Sequence, residues 1–250
     1  MNILMASSRG GGLARRITKH QVKCRVTSGG KISELTKEAV TLIPPVHRYR
    51  LKTHVYIMAG LPDITVKTKS THQGENYTEV TYTEDIQDTV NRVTNEIKIG
   101  EDKIKEAGAT PIFCTITPCS IEKYNHQLLT SESTKHLLHQ NSYKEMQSNL
   151  ESAIKEINAF IISTNNANNI STPYCHSVIH RRRGAKKNYF KWVYENLWDG
   201  VHGTDNTKEG WANCISCAIK ANRTEDTSES DECKSPKRSW QQEKRIKLSL

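Results

Sequence analysis

The 250-residue chain carries 36 Lys and Arg against 27 Asp and Glu, a formal net charge of +9, and 35% hydrophobic residues. That size suits one sizeable α/β domain or two small ones; no stretch approaches the roughly 20 apolar residues of a membrane-spanning helix, and the charge suits an anionic partner without naming it. Seven cysteines is an odd count with no framework spacing, which argues against a disulfide-stapled scaffold and for a reducing, intracellular setting.

The chain opens on "NILMA" (2–6), an apolar run too short for a secretory signal and expected as a first buried strand. The strand-like runs "QVKCRV" (21–26), "HVYIMA" (54–59) and "TPIFCTI" (110–116) follow, rich in β-branched residues and bounded by Gly, Pro or Ser. Each of the first two strand ends leads into glycines that open a helix, in "SSRGGGLARRI" and "TSGGKISELTKEA". Ile86, Val90, Val93, Ile97 and Ile104 mark one face of a helix over 84–107. Tyr143, Met146, Leu150, Ile154, Ile157 and Ile161 mark a second over 142–164. Strands alternating with helices predict a parallel sheet covered on both faces. From about Arg223 apolar periodicity stops and an acidic cluster precedes a basic one. Residues 1–222 are thus expected as the folded domain and 223–250 as a disordered tail. The basic clusters of "KSPKRSWQQEKRIKL" resemble a bipartite nuclear-import signal, or form a plain basic tail, so the expected location is nuclear or cytoplasmic.

Open α/β sheets bind ligands beyond the carboxyl ends of their strands. Ser7 and Ser8 stand at the first such end. A serine there presents its hydroxyl at the sheet edge, with its N–H near a positive helix end suited to an oxyanion; it equally suits an N-cap. Near the other end of the chain, "WDGVHGTDNTKEGWA" sets Asp199 three residues before His202. This is either part of a hydrolytic triad or a turn followed by a helix cap.

Taken together, the strand ends resemble the four sequence blocks of the SGNH (GDSL-type) hydrolase superfamily, over about residues 1–222. Ala6-Ser7-Ser8 with Gly12 aligns with the first block, Gly29 with the second, Gly60-Leu61-Pro62-Asp63 with the third and Asp199-Gly-Val-His202 with the fourth. The continuation "DGVHGTDNTKEGWA" is the most specific piece. The resemblance implies a flavodoxin-like three-layer α/β/α sandwich with a parallel sheet, and a serine esterase acting on small esters or acylated substrates without a cofactor or metal. Ser8 would be the nucleophile, His202 the base and Asp199 its orienting partner. The N–H groups of Ser8 and Gly29 would hold the oxyanion, with Gly60 shaping the third block. Two departures stand out. Pro62 occupies the position of an asparagine that donates to the oxyanion, and Ser7 replaces an aspartate. The alternative is a catalytically lapsed domain of this fold that binds nucleic acid, since silent SGNH-like domains that bind RNA exist.

The stretch "HRRRGAKKNYFKWVYENLW" (180–198) suits that alternative, with Arg181, Arg182, Arg183, Lys186 and Lys187 beside Tyr189, Phe190 and Trp192. It equally suits a solvated loop running into a helix whose aromatics face the core, and it could shape the mouth of the site. Cys214 and Cys217, a lone Cys-x-x-Cys, fall on one helix face and are expected as small buried thiols. Cys175, His176 and His180 form the only nearby ligand-like tract, while His136 and His139 suit a helix surface.

Overall fold

A computed structural model describes residues 1–17, 20–44, 52–72, 74–82, 84–129, 143–182 and 190–223. The strands are β1 (Asn2–Ala6), β2 (Val22–Val26), β3 (His54–Met58), β4 (Val66–His72), β5 (Glu75–Thr81), β6 (Thr110–Phe113), β7 (His180–Arg182) and β8 (Phe190–Trp192). The helices are α1 (Leu13–Arg16), α2 (Ile32–Leu42), α3 (Leu61–Ile64), α4 (Ile86–Glu106), α5 (Ile121–Leu128), α6 (Tyr143–Ala167) and α7 (Asp205–Arg223).

A four-stranded parallel sheet in the order β2-β1-β3-β6 forms the middle layer. Every residue of β1 and β3 is buried, as central strands covered on both faces require, whereas β2 at the edge is partly exposed. The two-residue period of the strands splits their side chains between two apolar layers. Ile3, Met5, Val55 and Ile57 pack under α2, α4 and α6. Leu4, Ala6, Tyr56 and Met58 pack under α1 and α7, around a fully buried Trp211. This is the expected α/β/α sandwich. The expected faces of α4 and α6 point inward, with Val93, Ile97, Leu150, Ile154 and Ile157 buried.

Three segments depart from expectation. Strand β6 stops at Phe113, because the chain beyond it finds other partners: Thr115 N–H donates to Pro173 O at 3.1 Å, and Asn158 of α6 brackets Ile116, accepting from its N–H at 2.6 Å and donating to its carbonyl at 2.9 Å. An antiparallel hairpin, β4–β5, follows α3; the alternating, β-branched "VKTKST" and "NYTEVT" carry that signal. Where a loop running into a helix was expected, residues 180–182 and 190–192 pair as antiparallel β7 and β8, and 194–196 form a short 3₁₀ turn. No helix of the described residues is long and apolar enough to cross a membrane. The tail and its import-like clusters, His136 and His139, and Arg183, Lys186 and Lys187 lie outside the described residues.

Asn158 thus stands in for a missing strand partner. Truncating it in Asn158→Ala leaves a buried N–H and a buried carbonyl without partners, an expected loss of about 2–3 kcal/mol in urea denaturation. Lys155→Ala, exposed on the same helix, should change stability by less than about 0.5 kcal/mol.

Candidate active site

The carboxyl ends of β1, β2 and β3 deliver three turns to one cleft of about 530 Å³, which Ser8, Gly29, Pro62 and His202 all line. At the end of β1, Ser7 N–H still donates to Met58 O at 3.0 Å, and the chain then coils into a 3₁₀ turn over Ser8–Gly10. Ser7 occupies the cap position of that turn and makes no side-chain capping bond. Ser8 is the first residue inside it, and among the described residues its hydroxyl has no hydrogen-bond partner. The glycines that follow are dictated by space: a Cβ on Gly10 would fall 2.2 Å from the Ala6 Cβ.

At the end of β2, Gly29 has a φ of +67° and open space where a Cβ would be. Its N–H and that of Ser8 donate to no acceptor among the described residues. At the end of β3, Gly60 has a φ of +111°, and a Cβ there would meet Ile116 Cδ1 at 2.3 Å. This glycine lets the Pro62 turn pack closely on Ile116. Pro62 has neither a side-chain donor nor an N–H.

The fourth turn is held from within. Asp199, 4% exposed, accepts Val201 N–H at 2.8 Å and His202 N–H at 2.6 Å on Oδ1. Its Oδ2 lies 2.6 Å from His202 Nδ1. Burial pushes the Asp199 carboxyl up, but the bonds from the His202 ring, His202 N–H and Val201 N–H outweigh it and hold the group below its ordinary value. The carboxylate requires a proton on Nδ1, which leaves the Nε2 lone pair as the ring's base. Ser120 N–H fastens the turn at Gly200 O, 2.8 Å away, and exposed Trp198 stacks on the imidazole at 6.0 Å. No hydrogen bond joins Ser8 to His202 among the described residues. The two meet in being walls of one cleft.

Sequence reading missed one residue next to Ser8. The Arg9 side chain turns inward, 5% exposed, and donates to the carbonyls of Thr117 and Pro118 beyond β6. Its Nε–H is buried without a partner among the described residues. Burial pushes the guanidinium down to about 10, opposed by Cys119, Tyr194 and Asp199, so it remains cationic at neutral pH. Lys31, Lys67 and Tyr124 also line the cleft. A basic residue inside a Gly-rich turn that must pack on strand ends was the available signal.

The other candidates lie elsewhere. Arg181 and Arg182 are in β7, and the register sets Arg181 across from Lys191 of β8. His176 is bonded to Thr115 Oγ1 at 2.8 Å, and burial pushes it down to about 4. His180 stacks on Trp192 at 4.6 Å. Cys175 is buried, Cys214 half-buried and Cys217 exposed, so the helix turns one of the two paired thiols to solvent rather than burying both. Among the described residues no three His, Cys, Asp or Glu side chains come together as a metal site.

No protein-family model matches the sequence, and no curated protein does. Solved structures share its fold. A GDSL-like lipase from Bacteroides thetaiotaomicron superposes with a TM-score of 0.55 at 15% identity, covering 88% of each chain. A lipase/acylhydrolase from Enterococcus faecalis gives 0.52 at 14% identity, covering 88% of this chain and 95% of that one. The C-terminal domain of the Drosophila Oskar protein gives 0.50 at 13%, covering 87% of each.

Asp63 ties the second and third turns together by accepting Ile32 N–H, at the start of α2, at 3.2 Å on both oxygens. Burial pushes its carboxyl up to about 6, against the Ile32 bond, Lys31 and Arg92, with Glu96 adding to the rise. A carboxyl that binds its proton more tightly folded than unfolded adds stability at low pH, and this is lost as pH rises through about 6. Between pH 7 and pH 5 the wild type should therefore gain about 1 kcal/mol relative to Asp63→Asn in paired urea titrations.

Proposed function

We propose that this chain, which has an SGNH-hydrolase-like fold, is a serine-dependent hydrolase of carboxylic esters with a two-donor oxyanion site. The observation that carries the reading is the Asp199–His202 pair at 2.6 Å. It opens on the same cleft as Ser8, whose hydroxyl has no hydrogen-bond partner among the described residues. In this mechanism Ser8 Oγ attacks the acyl carbon and passes its proton to His202 Nε2, while Asp199 stabilises the imidazolium. The carbonyl oxygen becomes an oxyanion facing the N–H groups of Ser8 and Gly29. Collapse expels the alcohol, which takes the proton from His202. Water, deprotonated by the same ring, then attacks the acyl-serine ester and releases the acid. The absent Ser8–His202 hydrogen bond is compatible with this course, because such contacts commonly tighten only when substrate fills the site.

Pro62 limits the rate in this reading. Wild type, Ser8→Ala, Pro62→Asn and the double variant, assayed on 4-nitrophenyl acetate, should separate cleanly. Pro62→Asn should raise kcat roughly 10- to 100-fold, with little change in KM, by supplying an oxyanion donor. Both Ser8→Ala proteins should be inactive and should lose the fluorophosphonate labelling of the wild type. Inactivity of all four, with no labelling, removes the esterase reading.

A second reading, a nucleic-acid-binding domain on the same fold, rests on the β7–β8 register. That register pairs two cationic positions, Arg181 and Lys191, in a stretch whose density of Arg and Lys suits phosphates. Single-stranded RNA should then bind in a steeply salt-dependent way, with the slope flattened by Arg181→Glu and Arg182→Glu. No mobility shift at low salt would dismiss it.

A further inference from the structure

The charge of the cleft identifies what kind of ester fits it. Arg9, Lys31 and Lys67 line its walls with His202, and among the described residues no Asp or Glu lines it. Arg9 is the decisive one. A guanidinium 5% exposed ordinarily has a carboxylate partner, because an uncompensated buried charge is costly. Among the described residues Arg9 has no ion pair. Among those residues it is held by the Thr117 and Pro118 carbonyls alone, with its Nε–H unsatisfied. Asp199 does not take that role, since its two oxygens are committed to the fourth turn and to His202. The two lysines are exposed at the cleft wall and form no ion pair among the described residues. Among the described residues, a buried cation with an unsatisfied donor and two ammonium groups without ion pairs line one cavity, a set of charges suited to an anion.

We infer that the cleft takes an ester that carries its own anionic oxygen group, a carboxylate or a phosphate, near the scissile bond. Arg9 holds that group at the cleft floor, and Lys31 and Lys67 guide it in from solvent. This rests on the esterase reading for the chemistry, but the anion receptor is a separate property of the same cavity. The reaction remains acyl transfer to Ser8 and on to water. The anionic group is recognised and not altered.

Two measurements test it. 4-Nitrophenyl hemisuccinate and 4-nitrophenyl butyrate have acyl chains of the same length and differ in a terminal carboxylate. The wild type should favour the hemisuccinate at least about tenfold in kcat/KM, mostly through KM, as one charge-assisted hydrogen bond allows. Added sodium chloride should shrink the preference. Lys31→Gln and Lys67→Gln should each lower the ratio about two- to threefold, and Arg9→Met should abolish it. Arg9→Lys, which keeps a charge, guards against a misfolded Arg9→Met. The second measurement needs no turnover. The melting temperature of the Ser8→Ala protein should rise by about 5 °C with succinate or inorganic phosphate near saturation, compared with chloride at equal ionic strength. The stronger of the two identifies the group as carboxylate or phosphate. Inactivity on both esters sinks the hydrolase reading alone, since the melting shift then carries the anion site. A butyrate preference, or the lack of any succinate or phosphate shift, overturns the anion site and leaves the hydrolase reading standing.

Discussion

The carboxyl edge of the parallel sheet imposes the constraint that the rest of this structure answers. Where β1, β2, β3 and β6 end, the inter-strand ladder ends with them. The backbone groups beyond it are too deep to be left to water. Buried amides close some of those gaps and tie helices to strands and turns elsewhere in the sandwich. Asn158 brackets Ile116, Asn125 donates to the Val80 carbonyl and accepts its N–H, both at 2.8 Å, and Asn165 donates to Phe113 O at 2.9 Å. Asn222 accepts Ser171 N–H at 2.7 Å. Each of these side chains sits on a helix and reaches back to a strand or turn, so the helical layers are registered to the sheet and its turns by polar contacts as well as by apolar packing.

Two positions at that edge are closed by charge. The Asp63 carboxylate takes the first N–H of α2, and the Arg9 guanidinium takes the carbonyls after β6. A neutral side chain would satisfy the same hydrogen bonds with a smaller desolvation cost. The use of ionised groups therefore leaves an electrostatic field in the cleft. Arg9 and the lysines set its positive sign. Asp199, buried beside it, remains ionised because three hydrogen bonds converge on its oxygens. Structure and chemistry are coupled here, since the group that seals the backbone also charges the cavity.

The strands and long helices were legible from the sequence because one physical variable encodes each of them. A central parallel strand must be apolar on both faces, and "NILMA" and "HVYIM" are; a covering helix must carry an apolar stripe, and residues 86–104 and 143–161 do. The four candidate turns were legible for a similar reason. Glycines at 10, 29 and 60 and the Asp199–His202 spacing answer local demands of space, positive φ and ring orientation. The β7–β8 pair was hidden because its strands are only three residues long, too short to show an alternating pattern.

What the sequence determined by itself, then, is the layer order and the positions in the chain where a site can form, since both follow from periodicities and backbone geometry carried within a dozen residues. Tertiary structure decided the character of that site. It turned Arg9 inward onto carbonyls more than a hundred positions away and brought Lys31 and Lys67 from different elements to one wall. Among the described residues it also left Nε of Arg9 without an acceptor. Burial and pairing of a charge depend on which distant groups surround it, and no local pattern in the chain encodes that.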